Sequence, residues 1–137
     1  MAFILKSGRT KNIWLPVTTS TALPADSMVT FTSGLLVAAT SATTAANIAG
    51  VLVRPIAATD LDYATARLVA VQVPLEKSTV WEADVTSGLV ATDIGAYADL
   101  TDNLNVNRAA SAIKAVRVVG VTSTIKGLFH ISVNGAF

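Results

Sequence analysis

The chain is written in short runs where apolar and polar side chains alternate with a period of two, which is the spacing of a half-buried strand. SMVTFT sets Met28, Thr30 and Thr32 against Val29 and Phe31, and LLVAAT follows after Ser33-Gly34. IAGVLVR is β-branched and ends at Pro55. RLVAVQVP places Val69, Val71 and Val73 on one face and Leu68, Ala70 and Gln72 on the other. VWEADV puts Trp81, Ala83 and Val85 inward and Val80, Glu82 and Asp84 outward. AVRVVGVT carries a bulge signal at Gly120, and LFHISVN alternates Phe129, Ile131 and Val133 with His130, Ser132 and Asn134. This predicts an all-β fold: a small barrel or sandwich of about seven short strands. Helical signals are brief. DLDYATAR could form one turn capped by Asp60, and NRAASAIKAV a short helix or an extended loop.

The first 27 residues read differently. KSGRTKN is polar and basic, IWLPV is a short apolar piece, and TTSTALPAD is loop. They predict an extended N-terminal arm (1–27) ahead of a single β domain (28–137). Phe3, Ile4, Leu5 and Trp14, with Lys6, Arg9 and Lys11 between them, are its candidate contact residues. TSGLLVAAT and TSGLVAT echo each other, but in a chain so rich in Ala, Thr and Val the echo is better explained by chance.

Composition changes this picture in one respect. Only 14% of the 137 residues are charged, against about 25% in an ordinary soluble domain. So little charge suits a body that buries surface in an assembly. The charges are also segregated. Residues 1–59 carry four basic side chains and one acid, residues 60–102 two and eight, and residues 103–137 four and none. Glu82 and Asp84 in the acidic middle could face the basic flank of a neighbouring copy. The uncharged stretch Ser27–Val53 is long enough to cross a bilayer, but its Thr and Ser residues cluster at mid-span. It reads as two strands and a loop, with no membrane partner. No secretory leader is evident, and the absence of Cys removes thiol chemistry.

Candidate chemistry is sparse. A single His and no Cys cannot build a zinc site, and no Gly-x-Ser-x-Gly, phosphate-loop or dinucleotide motif is present. Asp60 with Asp62, and Asp99 with Asp102 and Asn103, lack calcium-loop spacing and read as turn caps. Glu82 and Asp84 have a spacing compatible with a glycosidase pair, but alternation sends Trp81 to the opposite face. The expectation is therefore no enzyme, no cofactor and no direct nucleic-acid partner. A carbohydrate-binding module using Trp14 or Trp81 as a stacking platform is an alternative.

The order AANIAGVL, AATDLDYATARLVAVQV, WEADV, ATDIGAYADLTDNLNVN and VVGVTST resembles tailed-bacteriophage capsid decoration (cement, head-stabilising) proteins over Leu35–Val133. The resemblance implies a virion protein made in the host cytoplasm. It would bind the major capsid protein on the outer surface of the head, assemble with itself, often as a trimer, and stabilise the shell. Other phage parts, namely tail-tube, head-completion or head-fibre proteins, share this composition.

Overall fold

The computed structural model describes residues 3–44, 47–65, 67–76, 78–86 and 88–131. They form eleven strands and no α-helix. β1 (Ile4–Ser7), β2 (Thr10–Pro16), β3 (Met28–Thr32), β4 (Leu35–Ala38), β5 (Ile48–Leu52) and β6 (Leu68–Pro74) make up the first half. β7 (Val80–Thr86), β8 (Tyr97–Leu100), β9 (Asn105–Asn107), β10 (Val116–Ser123) and β11 (Lys126–Ile131) make up the second.

The second half closes on itself. β7, β11, β10, β8 and β9 pair in that order, and β9 returns to β7 through the parallel register Asp84↔Asn105 to Thr86↔Asn107. The result is a closed five-stranded barrel. Closure is possible because β7 divides one edge: its last residues take β9, while its first take β1 through Ile4↔Glu82 and Leu5↔Trp81. The register slips beside Gly120, so the expected bulge is present.

The first half forms a second sheet, in the order β2-β6-β5-β3-β4. It curls until Val17 bridges Leu36 in parallel, bringing the end of β2 to β4. The β3–β4 turn has both Ser33 (φ 52) and Gly34 (φ 80) in the left-handed region. That is the two-residue turn whose twist matches paired strands, and glycine takes its second position without steric cost.

Two apolar clusters fill the molecule. Trp81, Phe129, Leu100, Val106 and Val118 fill the barrel, joined by Met28, Ile48 and Val51. Val29, Leu36, Ala49, Leu52 and Val71 fill the second. β3 and β5 therefore lie between the two, giving one set of side chains to each. This is why all five residues of β5 are buried and why its sequence is continuously apolar rather than alternating. A slip in the β3–β5 register between Val29 and Thr30 lets the parity change sides.

All seven expected strands form, although residues 132–134 of the last lie outside the described residues. Two outcomes differ from expectation. Residues 97–100 and 105–107 form β8 and β9, which are too short for alternation to be read. Residues 4–16 form β1 and β2 rather than a separate arm, and no structural boundary falls at residue 27. Phe3 N–H donates to Asp26 O at 2.9 Å, and Asp26 N–H to Leu52 O at 2.8 Å, tying the segment to β5. The candidate helical segments form turns, and a 3-10 turn spans Ala91–Asp93. The second copy of the Ser-Gly echo leads into that turn and not into a strand, so the two segments are not a duplicated unit.

Candidate functional site: the N-terminal strands and the Trp14 groove

β1 belongs to the barrel sheet and β2 to the curled sheet, so the bend between them holds the two together. Gly8 (φ 98) makes that bend. A Cβ there would lie 2.5 Å from Thr79 Cα, so glycine is required both by conformation and by the close approach. Arg9 is then fixed by Leu75 N–H donating to its carbonyl (2.9 Å), by Thr79 Oγ1 donating to the same oxygen (3.2 Å), and by its own N–H donating to Glu76 Oε1 (3.2 Å).

This geometry sorts the candidate contact residues. Phe3 is fully buried against the barrel core, which corrects the expectation for it: its ring is satisfied inside the chain. Leu5 packs against the same core but is only partly buried. Ile4 is at the surface, and Lys6 reaches Glu82 at 4.0 Å. Arg9 lies 3.6 Å from Glu76 with its side chain mostly exposed, and Lys11 is exposed. Trp14 stands 65% exposed on β2.

Glu82 and Asp84 project outward from β7 as alternation predicts, with Trp81, Ala83 and Val85 buried on the opposite face. Glu82 is half-buried beside Lys6 and accepts from Thr122 Oγ1 at 3.4 Å. Asp84 lies opposite Lys126 on one side and Asn105 on the other. Trp81 is wholly enclosed, which removes it as a stacking platform.

The remaining acids hold loops. Asp99 is buried in the barrel wall and accepts from the N–H groups of Ile113 (2.9 Å) and Lys114 (2.8 Å). Asp102 accepts from Leu104 and Asn105 N–H. Asp93 is held below its ordinary value by the Val90 N–H and by the Arg108 guanidinium. Asp60 is lowered by the Ala57 N–H and by Arg67, and Asp62 pairs with the same guanidinium. Burial raises Asp26. Burial, and then the neighbouring Arg117, lowers His130. Among the described residues no three His, Asp or Glu converge on a metal position, and no helix is long and apolar enough to cross a membrane.

One concavity was not foreseen as a unit. A groove of about 470 Å³ opens on the outer face of β2 and β6. Trp14, Asn12, Leu68 and Ala70 line it from the strands, and Arg54, Pro55 and Asp62 from the loop between β5 and β6. Strand parity marks Asn12 with Trp14, and Leu68 with Ala70, as outward pairs. Only the register Trp14↔Ala70 and Asn12↔Gln72 brings them together. No protein-family model matches the chain, and no curated protein matches it in sequence.

Proposed function

We propose that this chain is a structural virion protein of a tailed bacteriophage: a capsid decoration protein that binds the outer surface of the assembled head and stabilises it. The observation that carries this reading is the contrast between a closed, filled interior and large apolar side chains left at the surface. Leu61, Trp14, Ile125, Leu68 and Ile94 are each more than half exposed while both core clusters are complete without them. Together with a charge fraction of 14%, that suits a protein whose surface is finished by neighbours. The resemblance over Leu35–Val133 supplies the kind of neighbour: the major capsid protein and further copies of this chain, with a trimer favoured.

The fold changes how such binding would work. β1 and β2 are integral, so there is no free arm to donate. β1 ends the six-stranded sheet, and its outer edge is where a capsid strand could be added. Ile4, Lys6, Arg9 and Lys11 supply exposed side chains along the same segment. Binding only the assembled shell would stabilise it by mass action, without chemistry.

The test is co-sedimentation of the purified protein with expanded and unexpanded capsids, alongside its sedimentation mass. Retention on expanded capsids by a trimer supports the reading. Retention on neither form would overturn it, and a hexameric ring would point instead to a tail component.

A further inference from the structure

The groove beside Trp14 shares only Trp14 and Leu68 with the side chains assigned above to capsid contact, and it has the chemistry of a small-ligand site. Its volume lies within the roughly 300–1,000 Å³ of such sites. Its floor is rigid, because β2 pairs with β6 over the full length of both strands and Val53 N–H donates to Ala70 O at 3.1 Å. An indole held 65% exposed on that floor presents a flat apolar face. Around it stand the Asn12 amide, which both donates and accepts, the Arg54 guanidinium, and the Asp62–Arg67 pair.

We infer that this groove binds a short acidic oligosaccharide, one whose sugar carries a carboxylate. The indole face stacks on the C–H face of a pyranose ring. The Asn12 amide exchanges hydrogen bonds with its hydroxyls, and Asp62 accepts from one. Arg54 takes the carboxylate: it is exposed, and among the described residues no carboxylate pairs with it. Arg67, by contrast, is already neutralised by Asp60 and Asp62, so Arg54 is the cation whose charge is left for a ligand. A peptide is the poorer fit. The groove opens over the face of the paired β2 and β6, where side chains and not backbone groups project.

The site is tested by titrating the intact protein with oligogalacturonate and with the same oligosaccharide reduced to its neutral form. Trp14 fluorescence and the indole N–H resonance are the readouts. Saturable binding of the acidic sugar is expected. Trp14→Ala should abolish it, and Arg54→Gln should weaken it roughly tenfold while leaving neutral-sugar binding unchanged, as for one charge-assisted bond. Both residues are exposed, so each variant should keep the parent circular-dichroism spectrum. The inference is overturned if neither this sugar nor any member of an acidic-glycan array binds. It is also overturned if Trp14→Ala leaves binding intact, or if only an acidic peptide is bound. Capsid co-sedimentation of Arg54→Gln is read separately, so a failed glycan site and a failed decoration role give different results.

Discussion

Replacing Phe3 by Ala measures whether the N-terminal segment is an arm or part of the core. Phe3 is fully buried among Trp81, Met28 and Phe129 in the barrel cluster. A buried aromatic covers about 150–250 Å². At about 25 cal/mol per Å², the area lost on truncation is worth about 3 kcal/mol, and the residual cavity brings the cost to about 3–5 kcal/mol. For 137 residues the entropy of unfolding is about 0.3 kcal/mol per kelvin, so the midpoint should fall by about 10–17 °C. Trp14→Ala is the control, because a 65% exposed side chain away from special backbone should change stability by no more than about 0.5 kcal/mol. Thermal denaturation followed by circular dichroism, with amide exchange across β1, reads both variants. If Phe3→Ala left the midpoint unchanged while β1 amides exchanged freely, Phe3 would be an arm residue and the barrel would not need it. The same reasoning removes truncation of residues 1–15 as a clean binding test, since it deletes two strands along with any contact surface.

Two other perturbations follow from the same contacts. Asp99→Ala strips the acceptor from two N–H groups in the β9–β10 connection and should cost about 2–4 kcal/mol, read by urea midpoint; Asp99→Asn, which keeps one acceptor oxygen, should recover part of it. His130 is held below its ordinary value of about 6.5, so the unfolded chain takes up its proton first as pH falls. Its neutral form therefore contributes stability that is present above about pH 6.5 and is lost as pH falls through the folded value; the His130→Gln variant should show a flatter stability profile between about pH 7 and 5, and an equally steep one would show that His130 is not responsible.

Barrel closure was only partly legible in the sequence. β8 and β9 have four and three residues, so they offer at most two positions per face, and no periodicity can be read from that. GAYADLTD and NVN nevertheless contribute both closing strands and the buried Asp99. The N-terminal segment misled for a related reason. ILKS and TKNIWLP are interrupted by Lys, Thr and Asn, which reads as arm composition. Their pairing partners, β7 and β6, lie more than fifty residues away.

STVWEADV shows where the two kinds of information part. Strand parity is a local steric property with a period of two, so the sequence by itself determined the all-β class, the burial of Trp81, Ala83 and Val85, and the outward aim of Glu82 and Asp84. What parity cannot encode is which strand lies alongside, because that is fixed by long-range register and loop closure. Only the tertiary structure decided that β7 would be shared between β1 and β9, that Glu82 would sit beside Lys6, and that Asn12, Trp14, Arg54 and Leu68 would meet around one groove.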